Sequence, residues 1–563
     1  MKLLHLKIDS EKGFRSLRKG FEMHFHHPDN LDEMRKFHPF CLVGLNGCGK
    51  SNVLEALSHI FYHVELCVSK HLPDYVLDAC VFSPKKCVID AFVLDYLILV
   101  DQNKDKIFQK DSTRLIRISK KEGEAPKLTV FFPESASLGA FVVDLDGGSN
   151  GKSDFLKSFL PKYVVAYSSG ENEILNIPFI KSRLLHLDEF KQATVGGYLD
   201  YVNPENNLIY IDTNMSQAIL LCCLLFEEKE TLASLASYDN TGILKVTRFR
   251  MSIKKRFFRV QKKNKEYSFL YLLERDLFPK LQKCCTMSWY DDSNKVYYFD
   301  FFVNEATKQA FKFHFSSSME CFQVFRLLYE LNYHFVGDTK VKEIIHSTGI
   351  YTDGKIGLPG ADDDIFHFLD FYIDKQIDRN GNHEEMLLRQ LSDGEHQFIH
   401  TMAICLLLKR EDSLLLLDEP ETHFNPSWRS RFVSILNDTL NAACDNEHVD
   451  KGVWNFHKDI LITSHSPFII SDCQSENVII LDRNANDEPF AKRASELGIK
   501  TYGTSIGLLM SEIFKSNASI GKFSDTGIRK VIKQGGTKEE IKRRLNESFG
   551  DSVEKLLAIE SLE

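Results

Sequence analysis

The segment around residue 44 constrains the fold of this chain more than any other part of its sequence. Phe40–Val43 is a short apolar run that predicts a buried strand. The eight residues Gly44–Ser51 follow, and their sequence GLNGCGKS fits the pattern GxxxxGK[ST]. The residues after them predict an amphipathic helix. Strand, glycine-rich loop and helix in this order predict a phosphate-binding loop in an α/β sheet.

The residue types in this loop suit phosphate chemistry. Glycines let consecutive backbone N–H groups point at phosphate oxygens, and the helix N-terminus adds positive potential. In this pattern the lysine reaches the β- and γ-phosphates and the hydroxyl ligates Mg²⁺. The expected ligands are therefore ATP and Mg²⁺, and the alternative is a glycine-rich turn without a nucleotide. The residues predicted to bind the nucleotide here are Gly44, Asn46, Gly47, Cys48, Gly49, Lys50, Ser51 and Asn52, with Ser51 also a metal ligand.

A second group of polar residues opens a predicted helix far downstream, in the sequence LSDGEHQ. Ser392 is a suitable N-cap, and Glu395 completes a capping box, so a well-capped helix would explain the pattern. The functional alternative is a signature turn, in which Ser392 and the amide of Gly394 hold a γ-phosphate at the helix N-terminus.

Two further apolar strands end in polar residues. Leu414–Leu417 is followed by two carboxylates, of which Asp418 would hold Mg²⁺ through water and Glu419 would polarise the attacking water. A later apolar run ends at His465, which would sense or orient the γ-phosphate. Ligands bind at the carboxyl ends of strands in α/β sheets, so these residues are predicted to share one site.

The order and spacing of these motifs resemble the ATPase heads of the ABC and SMC type, most of all the RecF/OLD/Rad50-related AAA group. The resemblance covers residues 1–60, 160–172 and 386–515. It implies an α/β fold, an ABC-type head with a P-loop in a mixed sheet. It also implies a dimer around ATP, in which Ser392 and Gly394 of one copy face the nucleotide of the other. Arg15, in an FRSL turn, is implied to lie near the phosphates.

The chain is predicted to divide into four segments. Residues 173–385 lack the long heptad arms and the CxxC hook of Rad50-type proteins, so a globular α+β insertion is expected there. The sequence YSSGENE near residue 170 also contains SSGE, but no amphipathic helix or acidic strand end follows it, so a loop near the nucleotide is expected. The predicted segments are 1–172 (head, with the P-loop), 173–385 (insertion), 386–515 (head, with signature, carboxylates and His465) and 516–563 (helical tail, a candidate for partner docking).

One stretch of the insertion is strongly basic. Between Lys245 and Lys265 there are ten basic residues and no acidic one, in a chain of net charge −9. Such a segment, with interleaved phenylalanines, could bind DNA or RNA, and the alternative is the solvated face of a hairpin. The candidate nucleic-acid ligands are Arg248, Arg250, Lys254, Lys255, Arg256, Arg259, Lys262 and Lys263.

Composition and missing motifs narrow the class of protein. Thirteen cysteines without a CxxC pair indicate reduced thiols rather than a disulfide framework or zinc site. No run approaches the roughly 18 apolar residues of a membrane span, and the N-terminus lacks a signal-peptide core, so a cytoplasmic protein is expected. No DxD cluster follows His465 and no HNH pattern is present, so the chain is not expected to be a nuclease itself.

A complete head without arms or nuclease resembles the restriction-system-associated AAA ATPases, particularly the PtuA subunits of Septu and retron defence systems. That resemblance implies a partner HNH nuclease of the PtuB type, dimers or higher oligomers, and anti-phage defence. For a retron-linked member it also implies contact with a reverse transcriptase and its msDNA. The alternative is a RecF- or Rad50-like DNA-repair ATPase that binds DNA without a dedicated nuclease.

Overall fold

The computed structural model gives the positions of most of the chain. The described residues are 1–27, 34, 38–69, 72–73, 76, 82–100, 112–131, 140–146, 153–170, 172–196, 207–212, 215–260, 265–347, 364–409, 411–445, 458–484, 488–516 and 519–561. The prediction of a mixed α/β chain with a P-loop sheet is confirmed.

The strands, numbered along the described residues, are β1 (Lys2–Ile8), β2 (Phe21–His24), β3 (Phe40–Val43), β4 (Phe92–Val100), β5 (Ser112–Lys120), β6 (Lys127–Phe131), β7 (Ala140–Asp144), β8 (Tyr163–Ser168), β9 (Leu208–Ile211), β10 (Ile243–Lys254), β11 (Phe257–Val260), β12 (Lys265–Ser268), β13 (Met287–Asp291), β14 (Val296–Phe302), β15 (Phe366–Gln376), β16 (His383–Leu387), β17 (Ser413–Asp418), β18 (Lys458–Thr463), β19 (Val478–Arg483) and β20 (Pro489–Arg493).

The helices are α1 (Lys50–Val68), α2 (Ser153–Lys157), α3 (Glu173–Gly196), α4 (Ser216–Phe226), α5 (Ala233–Ala236), α6 (Tyr271–Asp276), α7 (Phe278–Cys284), α8 (Glu305–His314), α9 (Ser318–Leu331), α10 (Asp338–His346), α11 (Asp393–Leu407), α12 (Pro426–Arg429), α13 (Phe432–Asp445), α14 (Pro467–Ser471), α15 (Ile506–Glu512), α16 (Lys522–Lys533), α17 (Lys538–Ser548) and α18 (Val553–Glu560).

A seven-stranded sheet forms the centre of the head, in the order β20-β19-β3-β18-β17-β8-β9. All neighbouring pairs are parallel except β19 and β20. Every residue of β3, β17 and β18 is buried, as expected for parallel strands covered on both faces. Asp418 lies opposite both Thr463 and Ser168, and Thr463 lies opposite Leu42. Four consecutive strands therefore deliver their carboxyl ends to one edge of the sheet.

A six-stranded antiparallel sheet packs on one face of this layer, in the order β2-β1-β4-β5-β6-β7. The two sheets and α1 share a hydrophobic core to which Leu6, Leu42, Leu57 and Ile116 contribute. α1 is buried around most of its circumference because it lies within this core. The P-loop helix is thus fixed by packing.

A buried cluster of charged groups ties the antiparallel sheet to the central one. The Asp459 carboxylate of β18 lies 3.2 Å from Lys2 Nζ and 2.9 Å from His26 Nε2, and it accepts a hydrogen bond of 2.7 Å from the Leu3 amide. Burial by itself raises the pKa of this carboxyl, but His26 and Lys2 together lower that pKa to about 2. Asp459 therefore stays ionised in the folded protein.

The predicted insertion contains a five-stranded antiparallel sheet, β13-β14-β10-β15-β16. Phe249 of β10 stacks on Phe301 of β14 with ring centroids 4.2 Å apart. Both rings belong to the hydrophobic cluster that includes Val43 and Leu417 on the central sheet. β9 and α4 also come from residues 173–385, yet β9 completes the central sheet and α4 packs on α11. The four-segment division remains a prediction, and the segment 173–385 shares its core with the head.

The last three helices, α16 to α18, form a small cluster around Ile528, Ile541 and Leu545. On α18, Leu556 and Leu557 are 60% and 58% exposed. The cysteines in the described part of the chain are all free thiols. Among the described residues, no helix combines the length and apolar character needed to cross a bilayer.

Candidate functional site

Four turns meet at the carboxyl edge of the central sheet. The P-loop follows β3, Asp418 ends β17 and Glu419 comes next, the turn containing His465 follows β18, and a polar turn begins at Ser168, the last residue of β8. Each strand is buried along nearly its whole length, and the polar residues of the site lie at or just after its carboxyl end. The motifs that the sequence places hundreds of residues apart are brought together by this parallel arrangement.

The P-loop wraps around its own lysine. Lys50 Nζ donates hydrogen bonds to the carbonyl oxygens of Gly44 and Leu45, each at 3.2 Å. Burial lowers the pKa of this amine. Asn46 and Gly47 are exposed at the tip of the loop, whereas the Cys48 side chain is 4% exposed and belongs to the core. Cys48 can therefore contribute its backbone N–H to a phosphate, but not its thiol.

Ser51 and Asp418 are in direct contact. The Ser51 hydroxyl donates a hydrogen bond of 2.9 Å to Asp418 Oδ1. The same carboxylate oxygen also accepts a hydrogen bond of 2.6 Å from Thr463 Oγ1. Asp418 Oδ2 accepts a hydrogen bond of 2.8 Å from the Asn172 amide. A hydroxyl and a carboxylate held together at the start of the P-loop helix are hard oxygen donors of the kind that Mg²⁺ prefers. These residues fit a Mg²⁺ site.

Glu419 and His465 lie next to this pair. Glu419 has a left-handed backbone with φ of 48°, held because its N–H donates to the Thr463 carbonyl and hydroxyl oxygens at 3.2 and 3.0 Å. Such strain is concentrated at functional sites. Its carboxylate is 3.5 Å from His465 Nε2. Burial and the neighbouring Asp418 raise the pKa of Glu419, whereas burial and Lys50 lower the pKa of His465. The pair thus combines a strengthened base with an imidazole that favours the neutral form.

The FRSL turn packs on the first turns of α1. Asn52 Nδ2 donates to Ser16 Oγ at 2.6 Å, and Arg15 Nε lies 2.5 Å from Glu55 Oε2. Arg15 also has a left-handed backbone, with φ of 51°. Burial raises the pKa of Glu55 to about 7, although Arg15 opposes that rise. The arrangement attaches Arg15 to the P-loop helix.

The predicted capping box of the LSDGE segment is confirmed. The Glu395 carboxylate accepts hydrogen bonds of 2.8 Å from both the N–H and the hydroxyl of Ser392, which caps α11. Glu395 also forms an ion pair with Lys375 on β15. A Cβ on Gly394 would lie 3.0 Å from the His423 carbonyl oxygen, so the turn packs closely on the segment after Glu419. Ser392 itself is exposed.

Comparison with known proteins agrees with this site. The family described as AAA ATPase domain matches residues 1–470, which is most of the chain. The chain belongs to the AAA ATPase domain family. Protein ea59 of Escherichia phage lambda is 29% identical over 133 residues, and the match covers 24% of this AAA ATPase and 22% of the phage protein. The chain therefore aligns with about a fifth of that relative's length.

Two solved structures are also similar to this AAA ATPase. The Smc head bound to the C-winged helix domain of ScpA is 9% identical to this chain, with a TM-score of 0.32. The match covers 88% of this chain and 99% of the Smc head chain. The Smc head domain with a coiled coil and joint from Pyrococcus yayanosii has 10% identity and a TM-score of 0.29, and covers 88% and 98%.

The sequence predicts a loop near the nucleotide at YSSGENE, but it does not single out Ser169, Asn172 or Thr463 as residues of the AAA ATPase site. Asn172 and Thr463 both hold the Asp418 carboxylate, and the Ser169 hydroxyl donates to the Glu419 carbonyl oxygen at 2.6 Å. The available signal was the polar turn after the apolar strand β8, since a strand adjacent to β17 must end at the same edge. Its role depends on β8 being that neighbour, which the local sequence does not reveal.

The basic segment of the AAA ATPase is largely paired with carboxylates. Arg250 contacts Asp300 through two nitrogens at 2.5 and 2.7 Å, and Arg248 lies 3.3 Å from Glu385. Their partners come from β14 and β16, the strands beside and near β10. These contacts offset charge that the local sequence leaves unbalanced.

The remaining candidates of this segment follow a similar trend. Lys255 lies 2.8 Å from Glu274, and Arg259 lies 3.6 Å from Glu266. Lys254 and Arg256 also interact within the chain. Lys262 and Lys263 lie outside the described residues. The nucleic-acid interface remains a prediction, and the carboxylate partners of Arg248, Arg250, Lys255 and Arg259 favour a structural role for these four charges.

A Gly44→Ala substitution should disrupt the P-loop far more than Gly47→Ala. Gly44 has φ of 145° and an added Cβ would lie 2.1 Å from the backbone oxygen of Leu481 on β19, which cannot move without displacing a core strand. We expect a stability loss of at least about 2 kcal/mol together with lost nucleotide binding. Gly47 has φ of 79° and nothing within 4 Å of its added Cβ, so about 1–2 kcal/mol of backbone strain is expected there. Chemical denaturation and nucleotide titration of both variants would test this, and equal losses would contradict it.

Proposed function

We propose that this AAA ATPase hydrolyses ATP with Mg²⁺ at the carboxyl edge of its seven-stranded sheet. The observation that carries the proposal is the contact of 2.9 Å between Ser51 and Asp418, with Glu419 and His465 beside it. Ser51 follows the P-loop lysine, and Asp418 comes from a distant strand. Their contact brings together a hydroxyl and a carboxylate, which are the ligands that a phosphate-bound cation requires.

Each residue of the site has a chemical task in this proposal. Lys50 would exchange its two loop carbonyls for β- and γ-phosphate oxygens. Ser51 and Asp418 would hold Mg²⁺, which supplies charge neutralisation at the phosphates when it is bound. The Glu419 carboxylate would take a proton from the attacking water, and its raised pKa makes it a better base. His465 would donate a hydrogen bond to the γ-phosphate.

We further propose that two copies complete one another's sites. In the described part of the chain, the hydroxyl and amide of Ser392 bond only to Glu395 of its own turn. This exposed helix N-terminus is suited to a γ-phosphate presented by a second copy. The signature would then act in trans, as the resemblance to ABC and SMC heads implies.

A Ser392→Arg substitution should abolish nucleotide-dependent dimerisation and leave nucleotide binding to the P-loop intact. The arginine would fill the exposed space at the start of α11 that the partner's γ-phosphate needs. Analytical ultracentrifugation with a non-hydrolysable ATP analogue and Mg²⁺ measures the outcome, with Ser548→Arg at the exposed end of α17 as a matched control. Dimers of the Ser392→Arg variant, or a monomeric unaltered chain with bound analogue, would refute the face-to-face arrangement.

We propose that this ATPase regulates a partner nuclease of the HNH type in anti-phage defence. The resemblance to PtuA subunits motivates the proposal, and the apolar side chains of Leu556 and Leu557 on α18 are suited to partner contact. A retron-linked system would add a reverse transcriptase and msDNA.

Gene order and co-purification test this partner. An HNH nuclease gene beside this one, whose product co-purifies with the unaltered chain and not with a Leu556→Glu variant, is the expected result. Leu497→Glu, also on an exposed apolar residue, serves as the control. Neighbouring replication or repair genes, with no nuclease bound, would favour the DNA-repair alternative instead.

A further inference from the structure

Two histidines and a glutamate meet on the solvent-facing side of the six-stranded sheet. His5 of β1 and His24 of β2 are directly paired across the two strands, and their rings stack with centroids 4.8 Å apart. Glu22 precedes His24 by two residues and therefore shares its face of β2. Glu22 Oε1 lies 2.7 Å from His5 Nε2 and 3.6 Å from His24 Nε2. One ligand atom of each residue lies within 4.8 Å of the others.

The second nitrogen of His5 faces another carboxylate. Asp95 Oδ2 of β4 lies 3.4 Å from His5 Nδ1. Asp95 is itself fixed, because its carboxylate accepts hydrogen bonds of 2.7 and 2.9 Å from Arg117. A carboxylate on the far nitrogen is the usual device that orients a metal-binding histidine and sets its tautomer. Asp95 thus directs His5 Nε2 toward Glu22 and His24.

We propose that His5, Glu22 and His24 form a binding site for a divalent first-row cation of the Zn²⁺ class. Two imidazoles and one carboxylate are a ligand set that such cations take in proteins, with water completing the coordination. The side chains of His24 and Glu22 are 62% and 46% exposed, so a cation and its waters can reach the site. The site uses none of the residues assigned to ATP.

The bound cation would link the edge strand of the sheet to its neighbour. β2 pairs only with β1 among the described strands of this sheet, and His24 and Glu22 lie on β2 while His5 lies on β1. Cation binding therefore stabilises this edge. The competing explanation is that Glu22 serves only as a hydrogen-bond partner of the two imidazoles.

The test uses the full-length chain, purified without a polyhistidine tag and stripped with a chelator. Calorimetric titration with Zn²⁺, and absorption spectra with Co²⁺, should show one equivalent bound per chain. His24→Ala should remove that equivalent, because His24 supplies one of the three ligand atoms. Its side chain is mostly exposed, so this truncation leaves the core unchanged. Asp95→Asn should weaken binding by about 10–100-fold.

His367→Ala is the matched control, since His367 has a 60% exposed side chain outside the proposed site and should be without effect. Failure of the unaltered chain to take up Zn²⁺ would overturn the proposal. Two other results would also overturn it. One is an equivalent of Zn²⁺ that is still bound by both the His24→Ala and the Glu22→Gln variants. The other is Zn²⁺ binding that falls as much in His367→Ala as in His24→Ala. Circular dichroism of each variant separates lost binding from lost folding.

Discussion

A Glu419→Gln variant is expected to hydrolyse ATP about 10²- to 10⁴-fold more slowly than the unaltered chain, while binding ATP with similar affinity. The amide has the shape of the carboxylate but cannot accept a proton from water. The strained backbone of Glu419 is held by its own N–H, so the substitution leaves that geometry in place. Phosphate release in single-turnover experiments measures the rate, and a fluorescent ATP analogue measures binding. The slowed variant should also accumulate as an ATP-bound dimer.

The pH dependence of turnover follows from the raised pKa of Glu419. Because the base must be ionised, the rate of the unaltered chain should rise as pH increases through that pKa. The midpoint should lie above the ordinary range of a glutamate, since burial and Asp418 both disfavour the charge. The exposed Glu476→Gln serves as a control and should keep both rate and profile. A loss of only about threefold in Glu419→Gln would remove Glu419 from the chemistry.

The Asp459→Ala variant is expected to lose about 3–5 kcal/mol of stability. The substitution leaves Lys2 buried without its counter-ion and the Leu3 amide without its acceptor. The midpoint of urea unfolding at neutral pH measures the loss. Asp292→Ala breaks a pair in which that aspartate is 84% exposed, so it should cost about 0–1 kcal/mol. A loss below about 1 kcal/mol for Asp459→Ala would mean that the two sheets hold together without this cluster.

The same carboxylate predicts how stability changes in acid. Its pKa is lowered from 3.8 to about 2 in the folded protein, so the folded state binds this proton less readily than the unfolded chain. Its contribution is therefore fully present above the unfolded pKa of 3.8 and is lost as pH falls toward 2. The Asp459→Ala variant should lack this component of acid sensitivity.

The sequence predicts the central strands well because each contains a continuous apolar run that is followed by the polar residues of the site. β3, β17 and β18 are of this kind, and Ser392 is recognisable as a cap from its spacing to Glu395. In each case the signal lies within a few neighbouring residues. The family resemblance rests on the order of these motifs along the chain.

Contacts between distant segments are what the sequence leaves open. Asn172 contacts Asp418 only because β8 lies beside β17, and nothing near Asn172 specifies that neighbour. The charge of Arg250 is matched by Asp300, which follows fifty residues later, so a local count overstates the basic surface. Residues after 173 also contribute to the central sheet, because β9 pairs with β8. Side-chain partners are set by sheet register, and register is a property of the whole fold.

The Glu395 carboxylate makes two contacts. It accepts a hydrogen bond from Ser392 in the capping box, and it forms an ion pair with Lys375 on the five-stranded sheet. A ligand that displaces β15 would therefore alter one of the two contacts on which that turn depends. Thermodynamic linkage makes such an influence reciprocal. If ATP bound at Ser392 from a second copy is coupled to a ligand on the five-stranded sheet, each would change the affinity for the other by the same factor. The Glu395–Lys375 ion pair would thus be one of the contacts that couple the signature turn to the insertion.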